Sequence, residues 1–233
     1  LDTARMRDAA AAFARASARH SDLAIDVSAI REIEPTALAQ AVVEGVLLAR
    51  YRYQAFVDAR VQAPLRALTI VVGPGMLDAA IEGARRGEVT ARAVTTARDL
   101  CNTPATHLTA RRYAEVAQAI GAETGLEVEV FDEDDLARLG CGGLLGVNAG
   151  SSEPARMIKL TYRPEGRAAT GHLGLVGKGI MYDAGGISLK PSDAMHAAMK
   201  LDMSGSAAIL GAMSTLRELG LPGCRDRLAD VHG

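Results

Sequence analysis

From Pro35 to Val57 the apolar and small residues recur at Ala41, Val42, Gly45, Val46 and Ala49, the three-and-four spacing of an amphipathic helix, with Glu34-Pro35 as its start. The apolar run Leu68-Thr-Ile-Val-Val72 ends at Gly73-Pro74-Gly75, which predicts a buried strand stopped by turn residues. Residues 76 to 101 read as helical with a break near Gly87, and the second part, Glu88 to Leu100, is placed to bridge two domains. Asn102-Thr103-Pro104 ends that helix, and Thr109 caps another running from about Ala110 to Thr124. Beyond it the pattern alternates. Leu126 to Phe131, Met157 to Tyr162 and Leu173 to Val176 are strand-like, Glu133 to Leu139 is helical, and Met203 to Leu219 is a strong Ala-rich helix.

Such alternation predicts an α/β fold: an N-terminal α/β domain over residues 1–87, then a linking helix and a second α/β domain over residues 88–233 whose sheet is largely buried. At 233 residues the chain is long enough for real cores, and 48% hydrophobic with 23% charged residues is ordinary for a globular protein. A net charge of -2 with scattered arginines gives no field to attract nucleic acid. Cys101, Cys141 and Cys224 are odd in number and widely spaced, so neither a disulfide framework nor a zinc knuckle is indicated, and a reducing cytoplasm is the expected location. No apolar run approaches the roughly 18 to 20 residues of a membrane span, and no signal-peptide pattern opens the chain. The first residue is Leu1 rather than Met, so residues before it are expected.

Lysine use narrows the search for chemistry. Four lysines stand against twenty-two arginines, and Lys178, Lys190 and Lys200 share the stretch from Gly177 to Leu201. A chain that supplies positive charge with arginine keeps lysine where a compact amine is needed, one that can lose its proton and act as nucleophile, base or ligand. The segment Leu175-Val-Gly-Lys-Gly-Ile-Met-Tyr-Asp-Ala-Gly-Gly-Ile-Ser-Leu-Lys190 starts as a strand and turns glycine-dense, which places Lys178 and Asp183 at or beyond a strand end. Asp202 precedes the last helix, where a carboxylate either caps the helix or points into a cleft.

Several other chemistries are weighed against the same residues. The phosphate loop G-x-x-x-x-G-K-[ST] fails where His172 and Gly179 stand, although a phosphate site on Gly177 to Gly179 remains a minor reading. No H-E-x-x-H occurs, and the five histidines are isolated. Ser188, Ser204 and Ser206 lie near the lysines without a G-x-S-x-G elbow or an S-x-x-K pattern.

Val176-Gly-Lys-Gly-Ile, Tyr182-Asp-Ala-Gly-Gly-Ile-Ser-Leu-Lys-Pro191 and Met199-Lys-Leu-Asp-Met-Ser-Gly205 resemble the signature of the leucyl (cytosol) aminopeptidase family of two-metal peptidases. Ala41-Val-Val-Glu-Gly-Val-Leu-Leu48 with Tyr51-Arg-Tyr53, and Arg98-Asp-Leu-Cys-Asn-Thr-Pro104 with His107-Leu-Thr109, resemble its segments before the catalytic domain. The resemblance implies a metal-dependent aminopeptidase releasing leucine-like N-terminal residues from peptides, with two divalent metal ions, Mn2+ or Zn2+, as cofactors. It also implies a homo-oligomer, a hexamer in the family. Lys178, Asp183 and Asp202 would be the metal ligands, with Asp183 between both ions, and Lys190 the catalytic cation that polarises the scissile carbonyl. Met181, Met199 and Met203 are candidates for a side-chain pocket or for core.

One family element is absent from the sequence. D-x-E-G-R, whose carboxylates serve both metals, does not occur, and Glu165-Gly-Arg167 is a partial echo at another place that carries no role. After Gly220 the resemblance stops. The expectation is therefore a trimmed N-terminal domain, a linking helix and the first part of the catalytic domain with a buried mixed sheet, which binds metal weakly. The alternative is a non-catalytic relative acting as an oligomer subunit or binding module.

Overall fold

Asp2 accepts a hydrogen bond from the Arg5 amide at 2.8 Å and so starts helix α1, Thr3–Ala16, whose buried residues Met6, Ala10 and Ala14 repeat every fourth position and form one stripe. The structure is a computed structural model and describes residues 1–56, 63–164 and 172–220. By contacts the chain divides into two compact units, Leu1–Thr95 and Thr96–Gly233.

In the first unit α1 is followed by strand β1 (Asp22–Asp26), helix α2 (Pro35–Arg50) and strand β2 (Ala67–Val71), and β1 and β2 pair in parallel with Leu23 opposite Leu68 and Ile25 opposite Ile70. Helix α2 is buried nearly all round, from Leu38 to Val46, because neighbours cover two of its faces. On one side a Cβ at Gly45 would come within 2.4 Å of the Arg7 carbonyl of α1. On the other, Cβ atoms at Gly83 and Gly87 of helix α3 (Leu77–Asn102) would meet the Thr36 carbonyl at 2.0 Å and the Val43 Cβ at 2.8 Å. Glycine here permits close helix crossings. Within this packing the buried Glu44 carboxylate accepts from Arg7 Nε at 2.7 Å and from Gln40 Nε2 at 2.8 Å, as a buried charge requires.

Three expectations for this unit change. Helix α2 ends at Arg50, with Tyr51 in extended backbone, rather than at Val57, and Val57 itself lies outside the described residues. Helix α3 is continuous through Gly87, since that glycine accommodates α2 instead of breaking the helix. Strand β2 is not buried: its residues alternate between half-buried and exposed, and Val71 is 45% exposed.

In the second unit, helix α4 (Ala110–Thr124) is capped by Thr109, which accepts from the Arg112 amide, and is closed by Gly125 in the left-handed region at φ 73°. Strand β3 (Glu127–Phe131) pairs antiparallel with β4 (Met157–Thr161), and both are partly buried. Between them lie α5 (Glu133–Arg138), opened by an Asp132/Asp135 capping box, and α6 (Gly142–Asn148). The chain then forms α7 (Ala194–Ala197), a short 3-10 turn (Ala198–Leu201) and α8 (Ser204–Met213). Leu100, Leu108, Tyr113, Ala117, Met203, Ala207 and Leu210 make its core. The α/β class stands, carried among the described residues by two two-stranded sheets.

Two expectations fail here. Leu173 to Val176 forms no strand: among the described residues no ladder partner lies beside it, and Val176 is fully exposed. Lys178 therefore does not sit at a strand end. The last helix stops at Met213 rather than Leu219, because the Ser214 and Thr215 hydroxyls take the Gly211 and Ala212 carbonyls and the backbone tightens into i to i-3 turns.

Candidate functional site

The first turn of α8 organises the site. No side chain caps this helix, and Met203 occupies the capping position. The Ser206 amide, one of the donors a helix start leaves free, instead donates to the Lys178 carbonyl at 2.9 Å. Asp202, released from capping duty, brings Oδ2 to 2.8 Å from Lys178 Nζ. That carboxylate oxygen is buried, and its contact with Lys178 is one of charge rather than of good hydrogen-bond angle; no other donor reaches it among the described residues. The Asp202 carboxylate pushes the Lys178 ammonium above its ordinary pKa, and the charge of Asp183 adds to the effect.

Lys190 makes the second pair. Its Nζ lies 2.6 Å from Asp183 Oδ2 and donates to the Asp183 carbonyl at 3.0 Å, while Asp183 Oδ1 accepts from the Gly185 amide at 2.9 Å. These contacts, the Lys190 ammonium first, hold the Asp183 carboxyl below its usual range, and Lys178 contributes through its charge. Gly185, at φ 110°, makes the bend possible, since a Cβ there would meet the Ser188 carbonyl at 2.5 Å. All four residues singled out in the sequence thus form one connected electrostatic group.

The third lysine of the stretch does something else. Lys200 Nζ donates to the Asn102 carbonyl at the end of α3, at 3.1 Å. Met203 is fully buried in the core and Met181 packs against it, so neither is presented as pocket wall. Glu165-Gly-Arg167 lies outside the described residues, as do Cys224 and the tail from Arg225 to His232.

Some participants were given no positioning role in the motif reading. Tyr182 donates to the His196 carbonyl at 2.9 Å with the two rings edge to face at 5.5 Å, so Tyr182 fixes the backbone next to Asp183 against α7. Gly205 stood in a quoted motif without a role and Ser206 was weighed only as a nucleophile, although a glycine in a first turn hints at close approach.

An amine and two carboxylates, one of them with a buried oxygen lacking a well-aligned donor, are a donor set that suits a divalent cation. Among the described residues no three His, Cys, Asp or Glu side chains gather into a group that could hold a metal ion. No helix among the described residues is long and apolar enough to cross a membrane.

The sequence model for the catalytic domain of the cytosol aminopeptidase family matches residues 95–225, more than half of the chain. A "Probable cytosol aminopeptidase" of Solibacter usitatus is 39% identical over 219 residues, covering 94% of this chain and 45% of the relative. One of the same description from Chlorobaculum tepidum is 39% identical over 198 residues, covering 81% of this chain and 39% of the relative. Among solved structures, the bottromycin maturation enzyme BotP in complex with Mn superposes with a TM-score of 0.81 at 37% identity, covering 95% of this chain and 46% of that one. The chain spans less than half the length of these relatives. The chain belongs to the cytosol aminopeptidase family.

Proposed function

We propose that this chain carries the first part of the centre of a metal-dependent aminopeptidase that releases leucine-like residues from peptides with a free N-terminus. The observation behind this reading is the pair of contacts Lys178 with Asp202 and Lys190 with Asp183, linked by the charge of Asp183 on Lys178. Lys178, Asp183 and Asp202 would hold divalent cations, Mn2+ or Zn2+, with Asp183 between two ions. When bound, such ions polarise a peptide carbonyl, hold a free α-amine and acidify water.

Lys178 must give up its proton to act as a ligand. Its pairing with Asp202 works against that, and only a dication competing for the same carboxylate reverses the sign. Lys190 has a different part in this reading. Turned from the Asp183 carbonyl toward a substrate carbonyl oxygen, its ammonium steadies the negative charge that develops there. A free substrate amine near two carboxylates explains preference for chain ends. The complex of BotP with Mn supports the choice of metal class, and the relatives' description as cytosol aminopeptidases supports a cytoplasmic location. Assembly as a homo-oligomer, a hexamer, belongs to the same proposal.

A second reading is a non-catalytic relative acting as an oligomer subunit or binding module, with weak metal binding, favoured by the lack of any three gathered His, Cys, Asp or Glu side chains among the described residues. Hydrolysis of leucine 4-nitroanilide with Mn2+ or Zn2+ separates the two. Turnover abolished by chelator and by Lys190→Ala supports the aminopeptidase; turnover that survives both overturns it; no turnover with any metal favours the second reading.

A further inference from the structure

We infer that Gly177 and Gly205 form a backbone lock that sets the spacing between Lys178 and Asp202, making both glycines positioning residues for the metal site; this rests on the reading of that site proposed above. The two glycines meet face to face. A Cβ at Gly177 would lie 2.7 Å from the Gly205 carbonyl and equally close to Cα and N of Ser206, distances that side chains do not tolerate. A Cβ at Gly205 would lie 3.1 Å from the Lys178 amide, which requires a shift of a few tenths of an ångström. Neither glycine has a positive φ, so backbone conformation does not demand glycine at either position. Close approach does.

This approach has a consequence for Lys178. Its carbonyl takes the Ser206 amide and its amine takes the Asp202 carboxylate, so one residue grips the start of α8 at two points on either side of Met203. Met203 is itself 1% exposed and anchored in the core, so α8 cannot easily move to compensate. Separation of Gly177 from Gly205 therefore moves the Lys178 amine relative to Asp202. Gly179, whose Cβ would find the Ser206 side chain at ordinary contact distances of 3.4 and 3.6 Å, is not part of the lock.

Gly205→Ala gives a test in which stability and positioning predict opposite results. Gly205 is the second residue of α8, where alanine is the better helix former. Helix propensity alone would slow exchange of the Ser206 amide. The lock predicts exchange faster by about tenfold or more, at an unchanged rate for Leu210 in the same helix. Gly146→Ala, where nothing lies within 4 Å of the added Cβ, is the control and should change neither rate.

Titration with Mn2+, followed by paramagnetic broadening of the Lys178, Asp183 and Asp202 amides, provides the second readout. The lock predicts a midpoint raised about tenfold in Gly205→Ala and further in Gly177→Ala, with Leu210 exchange unchanged. Unchanged or slower Ser206 exchange in Gly205→Ala overturns the lock. Faster exchange with an unchanged Mn2+ midpoint overturns its role in positioning. If the unaltered chain shows no broadening at these amides, the metal reading fails, and the lock is decided by Ser206 exchange alone.

Discussion

Lys200 Nζ donates to the carbonyl of Asn102, at a distance of 3.1 Å and a separation of 98 residues in the sequence. Helix α3 has no basic residue in its own last turn, so the 3-10 turn before α8 supplies the cation that its terminal carbonyls favour. Lys200→Met, which keeps the aliphatic stem, should cost about 1 kcal/mol in denaturant unfolding. The same change should slow alkylation of Cys101. Burial pushes that thiol up, the Lys200 charge pulls it back, and removing the charge leaves less thiolate.

Lys178→Arg separates the ion pair from ligation. A guanidinium retains the charge that Asp202 faces but does not lose its proton, so it cannot serve as a ligand. The expected outcome is unfolding within about 0.5 kcal/mol of the unaltered chain and Mn2+ binding weakened by about tenfold or more. Unchanged Mn2+ affinity would remove Lys178 from the ligand set.

Tyr113 sets an alkaline limit on the stability of the second unit. Burial pushes its hydroxyl up to about 12 from the ordinary 10.0, against a smaller opposing pull from Ser206. Below about pH 10 the group is protonated whether the chain is folded or unfolded; between about 10 and 12 only the unfolded chain ionises, so stability falls as pH rises. The loss is about 2 to 3 kcal/mol across that window. Tyr113→Phe should flatten the slope in unfolding curves measured from pH 9 to 12. At pH 7 it should cost little, because no well-aligned partner meets the hydroxyl among the described residues.

Gly83→Ala should destabilise the first unit although alanine is the better helix former. Its Cβ would stand 2.0 Å from the Thr36 carbonyl, so α2 and α3 must separate, at a cost of about 1–3 kcal/mol. Thermal unfolding of this variant beside Gly146→Ala, where the added methyl has open space, gives the comparison.

Arg7→Ala should cost about 1–3 kcal/mol, because among the described residues the buried Glu44 carboxylate then keeps only Gln40 as a side-chain donor. The double variant with Glu44→Leu should recover part of that loss in the same unfolding assay.

Local chemistry made much of this protein legible before any coordinates. Thr109 and Gly125 bracket α4 because a hydroxyl cap and a left-handed glycine act within one turn of their own positions. Strands β3 and β4 were legible as short strand-like segments, and the density of lysine and glycine from Gly177 to Leu201 pointed to the candidate site. The set Lys178, Asp183, Lys190 and Asp202 came from the resemblance of the surrounding motifs to the family.

Tertiary structure decided what spacing cannot record. Whether Gly87 breaks a helix or admits a neighbour depends on Val43, 44 positions away, and whether Leu173 to Val176 becomes a strand depends on a ladder partner. Asp202 could have capped α8; the Lys178 carbonyl satisfies that helix instead and leaves the carboxylate to the amine. Each of these outcomes turns on a contact between residues distant in sequence, and such contacts exist only once the chain has packed.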